Sequence, residues 1–433
     1  RRLGIRCDPV GASTDLAGYD ALIVGKQALT TAGAAPNIAR VRNGLKVLIL
    51  EQTSDVLEKR FGFRVAEYGL RRVFPRIPDH PALAGVGAEQ WRDWRGEATL
   101  LPPRLPYELR PRHGPTVLWC DLPVPRLWRC GNRGNVASVV IETPARGDFL
   151  PIVEGGFGLQ YSPLLECREG RGLTLFCQLD VSGRTEAEPT ADSLIGNLLR
   201  YLSAWQPSPA RRAIYAGEAA GKAHFEAAGV NVDSYAGAPL ARDQVLVLGP
   251  GAARGNVPGK SLLAEWLDDG GRIVAIGLNQ TEVDALLPLK IGIVEREHIS
   301  TYFEPPGVDS PLAGIGPAAV HNRDPQTLPL VAGGATVAGA GVLAVAQNGR
   351  VVFCQLVPWR FDWQKQSNLK RTFRRAAYLL ARVLANQGVA GSSPVVERFQ
   401  IALGAAQNEK RWSNGLYLDQ PEEWDDPYRF FRW

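Results

Sequence analysis

Leu175-Phe176-Cys177-Gln178-Leu179 returns 177 residues later as Val352-Phe353-Cys354-Gln355-Leu356. Just upstream, Leu150-Pro151-Ile152-Val153-Glu154-Gly155-Gly156 returns as Leu328-Pro329-Leu330-Val331-Ala332-Gly333-Gly334. Two such matches in one order imply a duplicated domain. The apolar runs around Cys177 and Cys354 read as strands buried on both faces, which makes the two thiols small core residues at equivalent places.

Working outward, Gly4-Ile5-Arg6-Cys7-Asp8 matches Gly229-Val230-Asn231-Val232-Asp233, Ala21 to Gly25 matches Val245 to Gly249, and His80 to Val86 matches Ser310 to Ile315. The offset is 225 at the front and 177 at the back, so the first copy carries an insertion of 48 residues, expected near residues 88–147. The second copy opens with a strand at Arg212–Ala216 and a helix from Glu218 to Ala228. The first copy has only three residues before Gly4, so it should lack that strand and helix. A parallel sheet missing a strand leaves an unpaired edge. The gap is expected to be filled by an upstream portion of the same polypeptide or by another chain.

Apolar runs alternate with helical patterns in both copies, as in open parallel sheets wrapped by helices. In the second copy strands are predicted at Val230–Tyr235, Gln244–Gly249 and Arg272–Gly277, with a helix over Lys260–Asp268 whose buried face carries Leu262, Leu263, Trp266 and Leu267. Closing helices are predicted from Thr190 to Trp205 and from Asn368 to Asn386, with Gly388 ending the second. The expected organisation is two tandem flavodoxin-like α/β domains with open parallel sheets, 1–205 and 206–389, joined at Gln206-Pro207-Ser208-Pro209. An irregular aromatic and acidic tail, 390–433, follows.

The composition bounds the function. The chain has 433 residues, 45% of them hydrophobic, enough for two or three real cores. No apolar run reaches membrane-spanning length. Its 49 basic and 44 acidic residues are interspersed, which does not point to nucleic acid. No CxxC pair or Cys/His cluster suggests a metal, and no cofactor motif stands out. Cys120 and Cys130 flank a Pro-rich turn and would be able to bridge in an exported or periplasmic protein. The complete absence of Met has no physical explanation here.

Catalytic constellations are weak. Gly255-Asn256-Val257-Pro258-Gly259-Lys260-Ser261 has one residue too few for a phosphate loop, and Pro258 removes an amide donor. Cys130-Gly131 is the only cysteine in a Gly-rich loop, the basis of a weak thiol-hydrolase reading. His224-Phe225-Glu226 falls inside a helix. Glu51, Glu154, Glu166 and Asp180 lie near strand ends, where open sheets place ligands, but nothing in the sequence pairs two of them for glycosidase chemistry.

The insertion and tail carry the most unusual chemistry. Trp91, Trp94, Arg95, Trp119, Trp128 and Arg129 combine flat aromatic faces with planar donors, suited either to a desolvated protein interface or to sugar stacking. In the tail, Glu422-Glu423-Trp424-Asp425-Asp426 precedes Tyr428, Phe430 and Trp433. These residues are expected to dock, with the acidic run meeting arginines such as Arg92, Arg95 and Arg129.

Several stretches together carry a family resemblance: Gly147-Asp148-Phe149-Leu150-Pro151, Leu159-Gln160-Tyr161-Ser162-Pro163-Leu164-Leu165-Glu166, Phe176 to Asp180, Tyr302-Phe303-Glu304, and Asp425-Asp426-Pro427-Tyr428-Arg429-Phe430-Phe431. The chain resembles the C-terminal region of large bacterial glycoside hydrolases of family 2, the β-galactosidase-like type. Its parts are similar to class I glutamine-amidotransferase-like domains. That resemblance implies a catalytic barrel upstream holding both catalytic glutamates, to which no residue here corresponds. This chain departs from true amidotransferases in lacking their Cys-His-Glu triad. The expected role is a non-catalytic accessory or homo-oligomerisation region in carbohydrate degradation; the alternative is a glycan subsite in the Trp/Arg-rich insertion.

Overall fold

The computed structural model describes residues 7–98, 100, 116–119, 122–125 and 133–400. In chain order, the first half holds strands β1 Ala21–Val24, β2 Lys46–Leu50, β3 Val65–Leu70, β4 Phe74–Pro75, β5 Trp94–Glu97, β6 Thr116–Trp119, β7 Leu122–Pro125, β8 Arg133–Gly134, β9 Ala137–Glu142, β10 Asp148–Gly155, β11 Tyr161–Glu169 and β12 Gly172–Cys177, then helix α1 Pro189–Ala204. The second half holds β13 Arg212–Ala216, α2 Ala219–Ala227, β14 Val232–Ser234, β15 Gln244–Leu248, α3 Lys260–Asp268, β16 Arg272–Ile276, α4 Gln280–Leu286, β17 Gly292–His298, β18 Gln326–Gly333, β19 Thr336–Ala338, β20 Leu343–Ala346, β21 Val351–Cys354, α5 Lys370–Asn386 and α6 Val395–Gln400.

These elements build two α/β units, each around one large sheet. The second sheet runs β14-β13-β15-β16-β21 in parallel and continues antiparallel through β20 and β19. The first runs β1-β2-β12 in parallel, then antiparallel through β11, β10 and β4, while β9 pairs with the start of β11 and carries β3. Both sheets are therefore mixed, which corrects the expectation of open parallel sheets. The reason is local: Glu169-Gly170-Arg171-Gly172 closes β11 onto β12 in a two-residue turn, too short for a parallel crossover. Gly170 has φ +60°, and a Cβ there would stand 2.5 Å from the Arg42 carbonyl.

The two cysteines sit at equivalent points. Cys177 lies between Leu50 of its parallel neighbour and Leu164 of its antiparallel one; Cys354 lies likewise between Ile276 and Leu343. Both are fully buried. The place that β13 and β14 take in the second sheet has no counterpart among the described residues of the first. There β1 is outermost, with Ile23 38% exposed.

Helix α5 joins the units. Leu379, Leu380, Val383 and Leu384 pack into the second core, while its arginines reach the first unit. Arg382 Nη1 donates to Asp148 Oδ1 at 2.6 Å and to the Phe149 carbonyl at 2.9 Å, Arg374 Nε to Glu142 Oε1 at 2.9 Å, and Arg375 Nε to Gln160 Oε1 at 3.1 Å. Arg64 Nε donates to the other Glu142 oxygen at 2.9 Å. Burial would raise the Glu142 pKa, but Arg374 and Arg64 hold it well below the usual carboxylate range.

Beyond Gly388 the chain returns to the first unit. The Ser392 amide donates to the Gly229 carbonyl at 2.8 Å, and α6 buries Val395, Val396 and Phe399 among Phe61, Phe63, Phe149 and Phe176. The buried Arg60 guanidinium donates through Nε to the Phe399 carbonyl at 3.0 Å, and Arg398 Nε donates back to the Arg60 carbonyl at 2.8 Å. Residues 390–400, expected to be irregular tail, are thus partly helical and part of the first core. Leu262 is also corrected: it is 63% exposed, while Leu263, Trp266 and Leu267 are buried as expected.

Candidate functional site

The carboxyl ends of the parallel strands are where an open α/β sheet usually presents its chemistry. In the first unit that edge carries Glu51 and Gln52 after β2, Gln178 and Asp180 after β12, and Lys26 after β1. Glu51 accepts from the amide and the hydroxyl of Ser182, both at 2.7 Å, and Asp180 accepts from the Ser138 hydroxyl at 2.6 Å, with Lys26 Nζ at 3.8 Å. Gln178 exchanges two hydrogen bonds of 2.9 Å with the Gln52 backbone. Burial raises the pKa of both Glu51 and Asp180, yet both are fully buried and serve to hold loops. The pair is structural.

The other acids are also committed. Glu154 forms a two-bond pair with Arg76. Glu166 accepts from the Tyr201 hydroxyl at 2.6 Å and from Arg168, with His80 Nε2 at 3.7 Å. Burial opposes ionisation of Glu166, but Arg168 and His80 prevail and bring its pKa to about 2, so it is charged at neutral pH and useless as a general acid.

Nucleophile chemistry fares no better. Burial lifts the Cys177 thiol well above its usual range and Cys354 to about 12. His224 is a core residue, 5.6 Å from Trp359 and 6.0 Å from Phe373 between ring centres, its pKa lowered by burial to about 4. Lys260 of the phosphate-loop look-alike donates to the Asp284 carbonyl. Among the described residues no group of three His, Cys, Asp or Glu could hold a metal.

Trp91 and Trp94 are 1% exposed and lie in the first unit's core, so neither is a platform for a sugar or a partner. Trp94 Nε1 donates to the Gln90 carbonyl at 2.7 Å, and the Arg184 guanidinium lies 5.8 Å from its ring centre. The Arg95 side chain is exposed, and its amide donates to Glu188 at 3.0 Å. Trp119 ends β6, opposite Leu122. Trp128, Arg129, Cys120, Cys130, Trp424, Tyr428, Phe430 and Trp433 lie outside the described residues.

What the sequence reading missed is a cavity of about 710 Å³ where the two units meet. Gly158 and Leu159 of the first unit face Ser300, Thr301, Tyr302, His321, Arg323, Asn368, Arg371, Thr372 and Arg375 of the second. Thr372 accepts from the Arg323 amide at 3.3 Å, tying the 321–323 loop to the first turn of α5. Burial, then the neighbouring Arg371, lowers the Arg375 pKa to about 10. The signal was legible in Lys370-Arg371-Thr372-Phe373-Arg374-Arg375, four cations in six residues of a helix.

No family model matches this chain, and no curated protein does. A similar solved structure is that of PurLQS from Thermotoga maritima, with 12% identity over 42% of this chain and 100% of that one, at a TM-score of 0.26. The α/β architecture rests on the strand orders given above.

Proposed function

We propose that the chain is a non-catalytic pair of flavodoxin-like, class I glutamine-amidotransferase-like units, serving as an accessory or oligomerisation region of a β-galactosidase-like glycoside hydrolase in carbohydrate degradation. The observation that carries the non-catalytic part is that Glu51, Glu154, Glu166 and Asp180, the acids near the strand ends, are all buried and engaged in hydrogen bonds or ion pairs. The parallel order β14-β13-β15-β16-β21, in which the second strand lies outside the first, supports the flavodoxin-like assignment. The carbohydrate context rests on the sequence resemblance alone. Burial of Trp91 and Trp94 weighs against the rival sugar subsite in the insertion. Under this reading the purified chain hydrolyses neither aryl galactosides nor glutamine. Turnover that disappears on Cys130→Ala or Glu166→Gln would refute it.

A further inference from the structure

We propose that the outer edge of β1 is a docking surface for a partner polypeptide, which adds one strand parallel to β1 and covers it with the helix that follows. The duplication shows what such an edge holds. β15, the counterpart of β1, carries β13 on its outer side, with Ala213 opposite Val245 and Tyr215 opposite Val247. Among the described residues β1 pairs with β2 alone.

The backbone of β1 is set for the same exchange. The Lys46 amide donates to the Asp20 carbonyl at 3.1 Å, so Asp20, Leu22 and Val24 turn their peptide groups toward β2, and the alternate residues Ala21 and Ile23 turn theirs outward. In the second unit that same alternate set serves β13: the Arg212 amide donates to the Asp243 carbonyl at 3.0 Å, and the Gly249 amide to the Ala216 carbonyl at 2.8 Å. Ala21 and Ile23 are both exposed, and among the described residues no backbone group pairs with theirs on that side. A row of unpaired strand groups is a template for an added strand.

The side chains match the backbone. Val245 and Val247 are fully buried, in one core with Tyr215 of β13, Phe225 of α2 and Val230. Their counterparts Ala21 and Ile23 are exposed, whereas Leu22 and Val24 on the opposite face are buried. An apolar strand with a helix behind it is what that face lacks. Charge favours one direction of entry: Asp243, just before β15, meets Arg212 at 3.4 Å, and the exposed Asp20 stands just before β1, placed to receive an Arg or Lys at the start of the incoming strand. Docking here depends neither on the carbohydrate role proposed above nor on catalysis by this chain.

The probe is a fluorescent synthetic peptide of residues 210–229 of this chain, which carry β13 and α2, titrated onto the full chain. Saturable binding is expected below about 1 mM peptide, with slower hydrogen exchange at Ala21 and Ile23 in the bound state. Ala21→Pro replaces an outward N–H, a change that an edge strand tolerates, and Ile23→Asp alters an exposed side chain. Each should leave the melting temperature within about 2 °C and weaken peptide binding by about tenfold or more. Arg212→Glu in the peptide should weaken it about threefold. No saturation up to about 1 mM, or an affinity unchanged in either chain variant, would overturn the proposal. So would a dimer of the full chain that Ile23→Asp dissociates, which gives the edge to a second copy, or faster exchange at Ala21 and Ile23 on removal of residues 1–6, which gives it to those residues.

Discussion

Asp148→Ala should cost about 3–5 kcal/mol of stability, because it strands a guanidinium inside the contact between the units. The Arg382 side chain is 0% exposed and that of Asp148 7%. Without the carboxylate, Arg382 keeps only the Phe149 carbonyl and Asn386 Oδ1, the latter at 3.0 Å. Replacing both members by apolar residues removes the stranded charge as well as the bond, so Arg382→Met with Asp148→Ala should be much milder than the sum of the single changes. Urea unfolding followed by tryptophan fluorescence and far-ultraviolet circular dichroism measures this. With a slope of about 3 kcal/mol per molar urea, the Asp148→Ala midpoint should fall by about 1–2 M. A shift below about 0.3 M, or a double variant equal to the sum of the singles, would show that the pair does not hold the units together.

Other expectations follow from the same geometry. Phe399→Ala empties a fully buried site among four phenylalanines and should cost about 3–5 kcal/mol, read as a lower melting temperature. Glu166 has a folded pKa depressed to about 2, so its contribution, on the order of 3 kcal/mol, is present above about pH 4.5 and is lost as the pH falls toward 2. Glu166→Gln should therefore flatten the acid limb of a stability-against-pH curve, and an unaltered limb would contradict the assignment. Iodoacetamide at neutral pH should label the exposed Cys7 but spare Cys167, Cys177 and Cys354 until denaturant is added, as peptide mass mapping would reveal.

Much of the fold was legible because its signals are local or repeated. The repeat around Cys177 and Cys354 placed two strands in equivalent positions. The 3.6-residue periodicity placed α3 at Lys260–Asp268 and brought the starts of α1 and α5 within two residues. The antiparallel halves of both sheets were missed because a short apolar run does not encode its direction; only the two-residue turn at Gly170-Arg171 hinted at it. Leu262 was misplaced because four apolar residues on a nine-residue helix span more than the buried stripe. Trp91 and Trp94 were misread because an aromatic next to arginine looks the same in a core as in a binding face. The inter-unit cavity depends on residues far apart in sequence, Gly158 and Arg375 among them, that no periodicity brings together.

The return of α6 into the first core has a consequence for synthesis. At roughly 5–20 residues per second, a ribosome that has finished α1 needs on the order of 10–40 s more before Phe399 exists. Through that interval the groove beside Phe61, Phe63 and Phe176 is without its last aromatic, and Arg60 is without the Phe399 carbonyl. Of the two units, the one made first is thus the one finished last, and a nascent chain stalled after residue 389 would display an apolar cleft of the kind that chaperones bind.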